Sequence, residues 1–208
     1  VELSFADSQS LNDIRIFLQR VAAVGYGQAL LVARDRVLAV FGCTSAPTSL
    51  LDPSPTVLGM RACEIVEPAQ LNMLVEIRAL ADRFARSDGS SLSVPPTEVT
   101  AVWAGVQPPT SGWRRSGRID AGSLREVAEQ GSARVSELLP DQPGAAVVEQ
   151  VRARVWNAEI IPGIPAGAAF AMDALGFLGR SSQIQLSEAP GWARLVSEDG
   201  QVLVRKVR

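Results

Sequence analysis

The sequence predicts an α+β fold: mostly antiparallel sheet packed with about five helices, in two subdomains. Three observations carry this. The strand-like apolar runs come in local groups and do not alternate regularly with helices, which argues against a doubly wound parallel sheet. Helical periodicity opened by a capping signal recurs at separate places along the chain. The chain closes on two short apolar runs divided by Glu198-Asp199-Gly200, and Asp-Gly is a strong hairpin signal.

Taken in order, Ser10-Leu11-Asn12-Asp13 reads as a capping box with Asp in place of Glu. Leu11, Ile14, Phe17, Leu18, Val21 and Val24 follow at helical spacing, and Gly25 stops the helix. Residues 29–32 and 37–41, divided by Arg34-Asp35-Arg36, predict a β-hairpin. Three prolines with Ser and Thr make residues 44–55 a loop, and residues 57–66 a strand. Glu67-Pro68 places a second helix start, with Met73, Ile77, Leu80 and Phe84 as its buried stripe.

The segment SDGSSLSVPP, residues 87–96, has linker composition and predicts a boundary between subdomains 1–88 and 97–208. Beyond it, residues 98–106 and 115–119 read as strands. Ser123-Leu124-Arg125-Glu126 is a capping box that opens a helix. Another helix runs from about Ala145 to Asn157, and Pro162 to Pro165 turns into a third that ends near Leu178. Residues 192–196 and 202–207 form the closing hairpin, and about eight strands are expected in all.

Composition narrows the chemistry. The 208 residues include no histidine, so Ser-His-Asp and Cys-His nucleophile systems and a His-based zinc site are excluded within the chain. The two cysteines, Cys43 and Cys63, are expected to be reduced, buried and free of metal. The formal charge is −2, with 20 basic and 22 acidic residues, so the basic excess of a typical nucleic-acid binder is missing. No apolar run is long enough to span a membrane. Val1-Glu2-Leu3 is not a signal peptide and lacks Met, so a removed leader stays open, with the cytoplasm the expected compartment.

No motif dictates a reaction or a cofactor, and no cofactor, metal ligand set or catalytic residue is assigned. Gly25-Tyr26-Gly27 is a lone G-x-G that follows a helix, where a dinucleotide loop follows a strand, so it reads as a helix stop and turn. Glu64 and Glu67 flank the second expected helix start, where Glu67 most simply caps it. Arg114, Arg115 and Arg118 cluster beside Trp113 in SGWRRSGR, residue types that grip phosphates or stack on a base, although a solvated loop explains them as well. Arg205, Lys206 and Arg208 form a second basic set, and a fold that joined the two sets would favour nucleic acid. Of the four tryptophans, Trp103 and Trp156 sit in apolar elements and are expected in the core. Trp113 and Trp192, beside glycines at element edges, are the surface candidates.

The stretch VW…PGIPAGAAFAMDALGFLG, residues 155–179, and WARLV…GQVLVR, residues 192–205, resemble a pattern of uncharacterised actinobacterial proteins. The resemblance covers the last quarter of the chain and implies no activity. Within it Asp173 stands out, because every other residue from Ile164 to Leu178 is apolar, Gly or Pro. It shares a helical face with Ala166, Phe170, Phe177 and Arg180. A buried carboxylate needs a cation or several donors, so Asp173 meets an arginine such as Arg180, faces solvent, or lines a ligand pocket beside Phe170.

The leading functional expectation is a non-enzymatic binding or protein-interaction protein, a homodimer for which nucleic acid is an unlikely partner. An enzyme with a His-free carboxylate, Ser or Arg site is one alternative, and a nucleic-acid-associated protein is the other.

Overall fold

The computed structural model describes residues 1–49, 51–87 and 89–206. Leu50, Asp88, Val207 and Arg208 fall in the expected loop, linker, closing strand and C-terminal basic set, and lie outside the described residues. The fold is α+β, and the chain divides into two compact units. One holds Val1–Thr44 and Gly59–Gln107, the other Ser45–Leu58 and Pro108–Arg208.

The first unit opens with β1 (Glu2–Ser4) and α1 (Ser8–Val24). The helix starts ahead of the expected capping box because Asp7 is the N-cap, its carboxylate accepting the Ser10 N–H at 2.7 Å. Leu11, Ile14, Phe17, Leu18 and Val21 are buried on one face, and the Gly25 N–H closes the helix on the Val21 carbonyl. Gly27 follows at φ 77°, a turn conformation that suits glycine.

The expected hairpin at Arg34-Asp35-Arg36 lies inside the single element β2 (Gln28–Ser45), whose two ends come back together: the Tyr26 N–H, just before it, donates to the Cys43 carbonyl at 3.2 Å. A two-residue reversal needs glycine-like geometry at its centre. Asp35 supplies it, left-handed at φ 51° in the exposed middle of β2, where the chain turns back. β3 (Thr56–Glu76) lies beside β2 and runs past the strand end expected at Val66. The helix expected at Glu67 is strand, with Glu64 and Glu67 both exposed on it. Half-burial at Arg61 and Cys63 and burial at Ile65, against exposure at Ala62 and Glu64, has the strand period of two. α2 (Ile77–Phe84) begins only after Glu76, so Met73 belongs to the strand and Ile77 and Leu80 to the buried helix face.

Inside SDGSSLSVPP, β4 (Ser91–Ser93) pairs antiparallel with β1, Glu2 opposite Ser93 and Ser4 opposite Ser91. The strand expected over residues 98–106 does not form. That proline-flanked segment makes one bond to Leu74 through the Val99 N–H and a 3₁₀ turn, Val102–Gly105, that buries Trp103.

The second unit contains β5 (Arg114–Asp120), α3 (Ala121–Leu138), α4 (Ala145–Trp156), β6 (Glu159–Ile161), β7 (Ile164–Pro165), α5 (Ala166–Ala174), β8 (Gln183–Ala189), β9 (Trp192–Val196) and β10 (Gln201–Arg205). α3 begins two residues before the expected box, because Asp120 accepts the Ser123 N–H at 3.0 Å. α5 stops at Ala174, short of Leu178, with Gly176 left-handed at φ 76° just beyond. The closing hairpin of β9 and β10 forms as expected, held at its turn by the Ser197 N–H on the Gly200 carbonyl.

The strands run β10-β9-β8-β5, antiparallel throughout. Ile184, Leu186, Leu195 and Val202 are buried in this sheet, and α3 and α5 pack against each other and against its strands β5 and β10. Among the described residues no helix is long and apolar enough to cross a membrane.

The loop 46–55 is fastened within this unit at Asp52. Its carboxylate accepts the Thr48 N–H at 2.8 Å, the Thr48 hydroxyl at 3.0 Å and the Ser54 N–H at 2.9 Å. Asn157 at the end of α4 donates to the Ser54 hydroxyl oxygen at 2.7 Å. The Ser54 hydroxyl first, then the Thr48 amide, draw the Asp52 pKa down to about 2. Ionised Asp52 therefore stabilises the fold above its unfolded pKa near 3.8, and that contribution disappears as pH falls from there toward 2. The Tm of Asp52→Asn should lie below that of the parent at neutral pH, and the two curves should converge in acid. A constant gap across the range would show that the carboxylate is not the fastening group.

Candidate nucleic-acid interface

β5 is an outer strand, paired on one side with β8, and it carries Arg114, Arg115 and Arg118, all exposed. A bulge between Arg115 and Gly117 leaves Ser116 without a register partner, and bulges at sheet edges re-aim side chains. Past the bulge, Gly117 and Ile119 stand opposite the buried Leu186 and Ile184, so they belong to the helix-packed face. Arg118 stands opposite Gln185 and Arg115 opposite Ser187, and both lie on the other face.

The next strand continues the row. Ser187 pairs with Arg194 of β9, which puts Arg115 and Arg194 on one face two strands apart, roughly 10 Å. The Arg194 guanidinium lies over the Trp113 ring, 4.3 Å from its centroid, and the indole N–H donates to the Pro109 carbonyl at 2.8 Å. Burial pulls the Arg194 pKa down, and its Nε is buried with no acceptor among the described residues. Trp113 is thus fixed at ring and N–H alike, a half-buried platform beside exposed arginines.

The two basic sets meet at the end of this sheet. Lys206 donates to the Glu188 carboxylate at 2.9 Å, and Glu188 stands opposite Arg114 in the β5–β8 register. The Lys206 hydrogen bond and charge, and after them the Arg114 charge, hold the Glu188 carboxyl below its usual range. Arg205 is exposed at the end of β10, opposite Trp192. Arg114, Arg115, Arg118 and Arg205 form no ion pair among the described residues, and the cations acting on Glu188 are Lys206 and Arg114. Arg208 of the second set lies outside the described residues.

The remaining candidates fall elsewhere. Trp192 is buried, 5 % exposed, which corrects its expected surface position: its strand is covered on that side of the sheet as well. Asp173 is the exposed exception on an otherwise buried α5, 4.0 Å from Arg125, with both side chains more than 40 % accessible. Such a pair contributes little. Arg180 instead binds Asp199 in the closing hairpin at 2.8 Å. Phe170 stacks on the buried Trp156, ring centroids 4.6 Å apart, so it anchors α5 to α4. Trp103 and Trp156 are core residues as expected. Neither the buried Cys43 nor Cys63 is in a disulfide among the described residues, and burial pushes the half-buried Cys63 up to about 11, leaving it protonated at neutral pH. Arg194 had no distinguishing signal in the sequence, where it reads as one polar residue in the apolar run WARLV.

Solved structures of sliding clamps share this fold. The DNA polymerase III beta subunit from Borrelia burgdorferi, in complex with a natural product, matches with a TM-score of 0.56 at 7% identity, over 100% of this chain and 65% of that one. The DnaN sliding clamp from Bartonella birtlesii, bound to griselimycin, matches at 0.54 and 10%, over 100% and 65%. A DNA polymerase sliding clamp from Pseudomonas aeruginosa matches at 0.52 and 14%, over 98% and 64%. The chain therefore spans just under two thirds of the clamp chains it resembles.

By sequence the chain belongs to the family described as Domain of unknown function (DUF8010), whose model matches residues 1–105. A second model, Domain of unknown function (DUF8185), matches residues 108–208 and takes in the stretch that resembles uncharacterised proteins. No curated protein matches the chain. The clamp fold overturns the leading expectation of an interaction protein with nucleic acid an unlikely partner, and favours the nucleic-acid-associated alternative. Net charge averages over the chain and does not record where its cations are placed.

Proposed function

We propose that this chain is a DNA-associated protein of the sliding-clamp fold, which holds duplex phosphates on the basic end of the second unit's sheet. The observation that carries the reading is the meeting of the two basic sets at the end of this sheet, where Arg114 of the first and Lys206 of the second flank the Glu188 carboxylate. The clamp-like structures supply the nucleic-acid context, since those proteins are named as DNA polymerase clamps or subunits. Exposed arginines without ion pairs lose little on contacting a phosphate, and each contact releases condensed counterions. Nothing in the arrangement reads base edges, so the binding is indifferent to sequence. A DNA partner makes the cytoplasm the expected site of action.

Fluorescence anisotropy with a labelled duplex tests this directly. Four phosphates neutralised by Arg114, Arg115, Arg118 and Arg205 give a log–log salt slope of about −3.6, so affinity should fall about 100-fold between about 50 and 200 mM salt. Two unrelated duplex sequences should behave alike. Absence of binding at low salt, or a slope near zero, would remove the proposal.

A further inference from the structure

We propose that the first unit carries a second and separate site, for a hydroxyl-bearing phosphate monoester, where α2 runs out toward β4. A cavity of about 390 Å³ opens there, lined by Glu2, Arg83, Arg86, Ser87, Ser91 and Ser93. That volume lies in the range of small-molecule sites, roughly 300–1,000 Å³. Its lining has no large apolar side chain, so its occupant is polar.

Two guanidiniums face this space and none of the described carboxylates forms an ion pair with either. Arg83 sits in the last turn of α2, its Nη1 reaching back to the Ala79 carbonyl at 3.4 Å. Its Nε is buried without an acceptor, a donor that costs free energy until an anion or water meets it. Arg86 is exposed three residues on. The carbonyls that end α2 would oppose an anion, but those of Ala81, Arg83 and Phe84 are taken by the N–H groups of Ala85, Arg86 and Ser87.

The other lining groups define the rest of the ligand. The Ser87 hydroxyl is already committed, donating to the Ser91 carbonyl and accepting from the Gly89 N–H. Glu2 and Ser93, opposite each other in the β1–β4 pair, also line the cavity. A carboxylate there repels a bare anion but accepts from a hydroxyl. A phosphate on the arginines with sugar-like hydroxyls toward Glu2 satisfies both ends.

Calorimetric titration with ribose 5-phosphate, inorganic phosphate and ribose, at matched ionic strength, tests the site. Ribose 5-phosphate should bind saturably and more tightly than inorganic phosphate, while ribose should not bind. Arg83→Gln and Arg86→Gln should each weaken ribose 5-phosphate at least about tenfold. Arg86 is exposed, so its variant keeps the fold even if Arg83→Gln does not. Equal binding of ribose, or unchanged affinity in the Arg86 variant, would overturn the site. Both arginines belong to the first unit and the DNA contacts to the second, so either proposal can fail alone.

Discussion

Gly25→Ala is expected to destabilise the first unit by about 3 kcal/mol, toward the upper end of overpacking costs. A Cβ at this position would run into the Cys43 carbonyl oxygen and come within 2.9 Å of the Val21 carbonyl oxygen. Both obstacles are backbone atoms, so no side-chain rotation relieves the clash. Those carbonyls also hold the junction together, Val21 accepting the Gly25 N–H at 2.8 Å and Cys43 accepting the Tyr26 N–H at 3.2 Å. Displacing either one loosens the end of α1 from β2 and leaves buried polar groups less well paired. Gly105→Ala is the control. Nothing lies within 4 Å of its added Cβ, so it should be neutral or slightly stabilising. Equal midpoints for the two variants in urea unfolding would show that the junction tolerates expansion.

Where the sequence carried a periodic apolar face, the elements were legible. The stripe from Leu11 to Val24 is the buried face of α1, and Asp-Gly marked the closing hairpin because its turn chemistry is local. Long-range pairing was not legible. Glu67-Pro68 has the look of a helix start, yet pairing carries β3 through it to Glu76, since a partner strand offers a whole row of backbone bonds. The polar run around Gln183 hid β8, whose period-two signal rests on Ile184 and Leu186 alone.

Helix starts were displaced by two residues for a single reason. Asp7 and Asp120 each lie three residues before a serine, and an aspartate reaches the N–H that the serine itself was expected to cap around. The candidate interface was half legible. Trp113 with its three arginines was visible as a cluster, and so was the basic C-terminus. Their meeting was not, because it depends on β8 and β9 lying between β5 and β10. Asp173 drew attention as a lone carboxylate in an apolar run, but a helix with one exposed position needs one polar residue, and Asp173 occupies it.

If the β5 arginines hold DNA phosphates, neutralising them removes most of the charged contacts to the duplex. In a protein carrying Arg114→Gln, Arg115→Gln and Arg118→Gln together, all three side chains are exposed and outside any ion pair among the described residues, so stability should be unchanged. Arg194 and Trp113 remain in place, as does the Lys206–Glu188 pair, so the platform keeps its shape. Three phosphate contacts are lost, and the log–log salt slope for duplex binding should become shallower by about 2.7, from about −3.6 to about −0.9. Affinity at low salt should fall by two orders of magnitude or more, at roughly 1–2 kcal/mol for each charged contact removed. An unchanged slope in a folded triple variant, with duplex still bound, would contradict the account and place the DNA contacts on another surface.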